Sequence, residues 1–90
     1  MKYEVLIMPK ADKDIKTLKR NEPQAYKKIM VLIEELQEHP ETGTGHPERL
    51  KNETDVWSRR ITKKHRLIYE IKEEVVTVLV FTAYGHYGDK

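Results

Sequence analysis

The stretch from Pro23 to Pro40 constrains the fold more than any other part of the chain. Pro23 suits the first turn of a helix, where its missing N–H is not needed, and Pro40 favours a helix end just before it. Between the two prolines, four apolar residues recur at i, i+4, i+7 and i+11, the spacing of one helical face. They are Ala25, Ile29, Leu32 and Leu36. The pattern predicts an amphipathic helix whose apolar face must pack against another element.

The preceding segment predicts a strand and a shorter helix. Residues 3–8 are rich in residues that favour β-structure, and we expect them to form a buried strand. Pro9 suits the start of a helix whose apolar residues again share one face, namely Ala11, Ile15 and Leu18. Residues 20–23 break this helix. Two helices joined so closely are expected to form a hairpin.

The second half of the chain is typical of β-structure. Residues 41–47 contain a Gly-x-Gly, but no strand leads into it and no Lys-Ser/Thr follows it as in a phosphate loop. We interpret this segment as a flexible connector. Strands are expected at residues 48–51, 56–61, 65–72 and 75–84. The last is apolar on both faces, so we place it inside the sheet.

The order of these elements, β-α-α-β-β-β-β, predicts a single α+β domain over residues 1–90. Both helices precede most of the strands, so they are expected to pack as a hairpin on one face of a twisted, mainly antiparallel sheet. The other face of the sheet is then open. Functional side chains are expected on that open face.

The composition excludes several kinds of site. The chain has no cysteine, so it holds neither a disulfide nor a thiolate metal site nor a thiol nucleophile. Its four histidines fit no zinc spacing, and we expect no metal. The N-terminus lacks a secretory pattern, and no apolar run approaches the ~20 residues that cross a bilayer. A cytoplasmic protein is therefore expected.

Positive charge is concentrated in one part of the chain. Residues 59–72 contain six Lys or Arg and one acid, whereas the net charge of the whole chain is only +2. Such a local patch attracts anions. Strand alternation puts Arg59 on the same face as Ile61, and it brings Arg60 and Arg66 together on the open face. The pattern fits either a phosphate-binding surface or a solvent-exposed basic face that has no binding function.

Two further residues are suited to proton transfer. Glu48 precedes the basic hairpin, and it fits either an ion pair with the hairpin arginines or a general base. His86 lies just past the last predicted strand, between two tyrosines, and a histidine donates or accepts a proton readily at neutral pH. An ordinary tail residue would fit the same position.

Three segments resemble the YoeB-type toxins (Txe/YoeB family) of the RelE/ParE superfamily, found in bacterial type II toxin–antitoxin systems. They are GHPERLK at residues 45–51, WSRRITKKHRLIY at residues 57–69 and YGHY at residues 84–87. The order of elements also matches across nearly the whole chain. The resemblance implies a RelE-like microbial ribonuclease fold and a single toxin domain. The segment Gly88-Asp89-Lys90 departs from the family, since such toxins commonly end at or just after the His-Tyr pair.

The resemblance implies a ribosome-dependent mRNA endoribonuclease, or mRNA interferase, that cleaves mRNA in the ribosomal A site and inhibits translation without a metal or cofactor. Four positions match catalytic ones: Glu48 as general base, Arg66 at the scissile phosphate, His86 as general acid and Tyr87 beside it. Lys51 and Arg60 match supporting basic positions. With the rest of the hairpin and tail, the expected RNA-binding residues are Lys51, Arg59, Arg60, Lys63, Lys64 and Tyr84.

The resemblance also implies partners. They are the ribosome, through rRNA and A-site mRNA, and a cognate YefM- or Axe-like antitoxin. Operator DNA is expected to be contacted only through the antitoxin complex, and no membrane is expected. Whether the free toxin is a monomer or a homodimer stays open. Two other functions also stay open: a degenerate toxin that binds antitoxin or RNA without cutting, and a ribosome-independent ribonuclease.

Overall fold

Within residues 2–51 and 53–85, which the computed structural model describes, two helices and five strands follow the predicted order. The first strand and the two helices are β1 (Glu4–Ile7), α1 (Pro9–Asn21) and α2 (Pro23–Glu38). The remaining strands are β2 (Glu48–Arg49), β3 (Val56–Arg60), β4 (Arg66–Lys72) and β5 (Thr77–Thr82), with a 3₁₀ turn at Glu73–Val75.

The prolines set the helix boundaries as predicted. Pro9 and Pro23 lie in the first turns of α1 and α2, and α2 ends at Glu38, just before Pro40. The buried residues of α2 are the four of the predicted apolar stripe. No helix in the described part of the chain combines the length and apolar character needed to cross a membrane.

The strands form one mixed sheet in the order β1-β5-β4-β3-β2. β1 and β5 are parallel, and the other neighbouring pairs are antiparallel. β5 lies between β1 and β4, which confirms its interior position. The prediction that the first strand is buried is wrong, because β1 lies at the edge of the sheet and its residues alternate between exposed and half-buried.

The core lies between the two helices and one face of the sheet. Leu67 and Ile71 of β4 belong to it, as the alternation predicts, and so does Tyr69 between them. Neither α1 nor α2 packs on the opposite face. We call it the open face and define it by four residues: Glu48, Ser58, Arg60 and Arg66.

Candidate active site on the open face

Strand pairing brings Glu48 and Arg66 together. Glu48 of β2 lies opposite Ser58 of β3, and Arg60 of β3 lies opposite Arg66 of β4. The Nη1 group of Arg66 donates a hydrogen bond to Ser58 Oγ at 3.2 Å. The same nitrogen lies 4.0 Å from Oε1 of Glu48. The three side chains come from three neighbouring strands, with Glu48 on β2, Ser58 on β3 and Arg66 on β4. The hydrogen bond from Arg66 to Ser58 therefore keeps the guanidinium near the Glu48 carboxylate.

This pair is loose and open to solvent. The side chain of Glu48 is 68% exposed and that of Arg66 is 23% exposed. Such an ion pair contributes only ~0–1 kcal/mol to stability. Directly beside it, Arg60 faces Arg66 across the strands, and like charges at opposed positions destabilise an antiparallel pair. A site with repelling cations and access to solvent is suited to bind an anion such as a phosphate.

The chain returns to Arg66 after β5. The N–H of Arg66 donates to the carbonyl of Gly85 at 3.0 Å, and the N–H of Gly85 donates to Nδ1 of His65 at 3.0 Å. Two residues before Gly85, the N–H of Ala83 donates to the buried carboxylate of Asp14 at 3.0 Å. Residue 85 is thus anchored beside Arg66. The predicted catalytic residues His86 and Tyr87, and the extension 88–90, lie outside the described residues.

Arg59 does not lie on the RNA-accessible surface. Its side chain is fully buried, and Nη1 forms an ion pair with Glu35 Oε1 at 2.7 Å. The five hydrogen bonds of the guanidinium go to the Glu35 carboxylate, the Tyr69 hydroxyl and the carbonyls of His39, Thr42 and Thr44. A guanidinium has five N–H donors, so all are used inside the protein. The prediction that Arg59 binds RNA is therefore corrected, because β3 turns this side chain toward the helices.

Arg59 instead anchors the loop that leads to Glu48. Burial raises the pKa of the Glu35 carboxyl, but hydrogen bonds from Thr44 and Arg59 outweigh burial and hold this pKa below its ordinary value of 4.5. Gly45 then packs against β3, where its carbonyl accepts the N–H of Arg60 at 2.6 Å. Its φ of +85° and an ideal Cβ position 2.8 Å from the Arg60 carbonyl oxygen favour glycine. The loop prediction is confirmed, but the segment is anchored rather than a free connector.

The other predicted RNA-binding residues lie on the surface, without forming one cluster. Lys51 lies near Val56, since the preceding residue donates its N–H to the Val56 carbonyl. Lys63 and Lys64 lie in the turn after β3, at the opposite end of that strand. Tyr84 is 51% exposed. The basic residues therefore extend along the sheet, and Arg60 and Arg66 form the last strand pair before the turn that carries Lys63 and Lys64.

Two residues of the site were not singled out from the sequence. Ser58 orients Arg66, and it lies on the same face of β3 as Arg60 because the two residues are two positions apart in one strand. His65 had been considered only as a metal ligand, but it is 3% exposed and bonded to Gly85. No local sequence signal reveals the second contact. Among residues 2–51 and 53–85, no group of three or more His, Cys, Asp or Glu side chains is arranged to hold a metal ion.

Comparison with known proteins identifies the family. The family model for the YoeB-like toxin of bacterial type II toxin–antitoxin systems matches residues 8–87. This chain belongs to that family. Toxin YoeB of Escherichia coli K12 is 42% identical to it over 62 residues, which are 68% of this chain and 71% of that protein. The YoeB resemblance inferred from the three segments is confirmed.

Solved structures confirm the fold. The YoeB dimer from Staphylococcus aureus has a TM-score of 0.83 and 30% identity, and the match covers 97% of this chain and 100% of that chain. The toxin of the heterotetrameric YoeB–YefM toxin–antitoxin complex from the same organism matches with a TM-score of 0.78, 30% identity and the same coverage. The α+β fold of this chain is thus the RelE-like fold of the YoeB toxins.

Proposed function

We propose that this toxin is a ribosome-dependent mRNA endoribonuclease, which cleaves mRNA in the ribosomal A site and so inhibits translation. The observation that carries the proposal is the position of Arg66 on the open face. Its guanidinium lies 4.0 Å from Glu48, while its backbone binds Gly85, the residue before His86. A candidate base and a phosphate-binding cation thus lie side by side, and the residue that precedes the proposed acid in the sequence is bound next to them. Membership of the YoeB-like toxin family supports this proposal.

The reaction uses the nucleophile that RNA itself carries. Glu48 takes the proton of the 2′-hydroxyl, and the 2′-oxygen attacks the adjacent phosphorus. The bond between phosphorus and the 5′-oxygen breaks, and His86 gives its proton to that oxygen. The products are a 2′,3′-cyclic phosphate and a 5′-hydroxyl end, so no water, oxidant or reductant is consumed in this step. The general acid and the general base each supply about 10²–10⁴-fold in rate.

Arg66 stabilises the charge that builds on the phosphate in the transition state. A planar guanidinium binds two phosphate oxygens and stays charged at all relevant pH values. By analogy with an oxyanion-hole donor, its contribution is about 3–4 kcal/mol. Ser58 restricts its orientation, Arg60 adds positive charge directly opposite it, and Lys51 adds positive charge near the other end of β3.

The remaining surface residues hold the substrate and the ribosome. Tyr84 is exposed and suited to stack on a base, worth ~1–3 kcal/mol, and Tyr87, which follows His86 in the sequence, is proposed for a similar role. Lys63 and Lys64 in the hairpin turn bind phosphates of rRNA or mRNA. Each such contact adds affinity without sequence preference, so neither lysine is expected to be essential.

The partners follow from the relatives. The S. aureus YoeB–YefM complex supports a cognate YefM-like antitoxin as the partner of this toxin. In this proposal, the antitoxin neutralises the toxin, and operator DNA is contacted only through their complex. The S. aureus YoeB dimer supports a homodimer of the free toxin. On this proposal, the toxin acts on ribosomes in the cytoplasm.

The test is cleavage of mRNA on programmed ribosomes, with the 5′ ends mapped by primer extension. We expect Glu48→Gln, Arg66→Ala and His86→Ala each to lose at least about 100-fold in cleavage rate while staying folded. Lys64→Ala is the matched control, since it removes one charge from the same hairpin, and it is expected to change the rate less than threefold or so. Equal effects of Arg66→Ala and Lys64→Ala would refute the assignment of Arg66.

Two further measurements distinguish this proposal from a ribosome-independent ribonuclease and from a binding module without cleavage activity. If wild-type protein cuts naked RNA as fast as ribosome-bound mRNA, the function is that of a ribosome-independent ribonuclease. If induction of the wild-type gene without antitoxin causes no growth arrest and no cleavage, the chain is a binding module.

A further inference from the structure

His65 lies where the hairpin turn, the start of α2 and the C-terminal segment meet. It is 3% exposed. Its backbone is fixed by the turn, because its N–H donates to Oγ1 of Thr62 at 3.1 Å and its carbonyl accepts the N–H groups of Ile61 and Thr62. The backbone position from which the imidazole ring extends is therefore fixed.

Both ring nitrogens of His65 are engaged. The N–H of Gly85 points to Nδ1 at 3.0 Å, and a backbone N–H is only a donor, so Nδ1 must carry the lone pair. In the neutral ring the proton then lies on Nε2, which is 3.1 Å from Oε2 of Glu22 and donates to it. The two contacts select one tautomer.

The contact with His65 fixes one side of Gly85, and Arg66 fixes the other. The carbonyl of Gly85 accepts the N–H of Arg66 at 3.0 Å, so both backbone polar groups of Gly85 bond to consecutive residues of the hairpin. Gly85 has a φ of +80°, and among the described residues other than its chain neighbours no atom lies within 4 Å of an added Cβ. The unusual backbone angle, and not crowding, is what calls for glycine here.

We propose that His65 is a positioning residue for RNA cleavage: its Nδ1 holds Gly85 against Arg66 and so sets the point at which the chain enters His86. This inference rests on the proposed function. His65 is buried, so it acts on the site through Gly85 and not by contact with the RNA. Its bond with Glu22 keeps the proton on Nε2 and leaves Nδ1 free to accept.

Two substitutions separate the ring nitrogens. Asparagine places its side-chain oxygen near the position of Nδ1, so His65→Asn keeps the acceptor for Gly85 and loses the bond to Glu22. Glutamine places its amide near the position of Nε2, so His65→Gln keeps the bond to Glu22 and loses the acceptor for Gly85. Both variants lose the ring that contacts Tyr84 in a tilted arrangement, with the ring centroids 4.5 Å apart. Asparagine also leaves more empty volume, so His65→Asn is expected to have the lower melting temperature.

The experiment has two independent readouts. The first is hydrogen exchange of the Gly85 amide by NMR in the free protein. The second is single-turnover cleavage on programmed ribosomes at saturating toxin. We expect His65→Asn to keep the protection of Gly85 and a rate within about threefold of wild type. We expect His65→Gln to lose this protection and ~10–100-fold in the saturated rate with an unchanged half-saturating concentration, because misplacing a catalytic group by about 1 Å costs up to about 100-fold.

The result that supports the proposal is thus an inversion, in which the less stable variant is the more active one. A merely structural role of His65 predicts the reverse order, with activity following melting temperature, and that result would overturn the proposal. Unchanged Gly85 protection in His65→Gln would overturn it as well. If wild-type protein shows no cleavage although Gly85 protection splits as expected, the proposed function fails while the His65–Gly85 contact stands.

Discussion

Arg59 and Arg60 are adjacent and chemically identical, yet they should differ widely in their effect on stability. Arg59 is fully buried and ion-paired to Glu35 at 2.7 Å, whereas Arg60 is exposed on the open face. Removing one partner of a buried pair leaves the other uncompensated, which costs about 3–5 kcal/mol. The side chain of Glu35 is 22% exposed, so part of its charge regains water and the lower end of this range applies. Replacing the exposed Arg60 should change the unfolding free energy by only about 0.5 kcal/mol or less.

A loss of this size is large for this chain. A 90-residue domain has a total unfolding free energy of roughly 5–13 kcal/mol. Each lost kcal/mol lowers the melting temperature of such a domain by about 4–8 °C. Arg59→Ala should therefore lower the melting temperature by at least about 12 °C. Arg59→Lys should recover little of this, because an ammonium has three donors on a flexible stem and cannot reproduce the planar fork that bonds five acceptors.

The assay is urea unfolding followed by the fluorescence of Trp57, the single tryptophan of the chain, which lies on the same face of β3 as Arg59 and packs against the core. Arg60→Ala is the matched control, since it removes the same side chain from the next position. If Arg59→Ala and Arg60→Ala differ by less than about 1 kcal/mol, the buried network does not hold the loop, and the stabilising role of Arg59 is refuted.

Two further predictions concern stability. Because hydrogen bonds lower the pKa of Glu35 in the folded state, its stabilising contribution is present above the unfolded pKa near 4.5 and is lost as pH falls through the lowered folded pKa. The difference in unfolding free energy between wild type and Glu35→Gln should therefore shrink in urea titrations as pH is lowered from about 6 to about 3, and a constant difference would contradict this. Val76 has a φ of +48°, which strains a β-branched residue, so Val76→Gly should stabilise the chain by about 0.5–1 kcal/mol in thermal unfolding. Val75→Gly, at the exposed neighbouring position, should not stabilise it, and a gain of equal size there would remove the strain argument.

The order of elements could be predicted because its signals are local. Pro23 and Pro40 act through their own backbone geometry, and the apolar stripe between them follows from the period of the helix. The interior position of β5 could be predicted from its apolar residues on both faces. The open-face location of Arg60 and Arg66 followed from the period of two residues in a strand. β1 was misjudged because a short apolar run looks the same at the edge of a sheet as inside it.

What the sequence alone determined is which residues are chemically able to act, and the tertiary structure decided which of them are free to do so. Arg59 and Arg60 are equal candidates in the sequence, but only the fold brings Glu35, 24 residues away, against Arg59 and removes it from the surface. In the sequence, His65 looks like an ordinary polar residue of a turn. Only the folded chain brings the N–H of Gly85, 20 residues later, to its ring. The physical reason is that alternation and helical period are properties of neighbouring residues. Burial and hydrogen-bond partners depend on contacts between distant segments, which form only when the chain has folded.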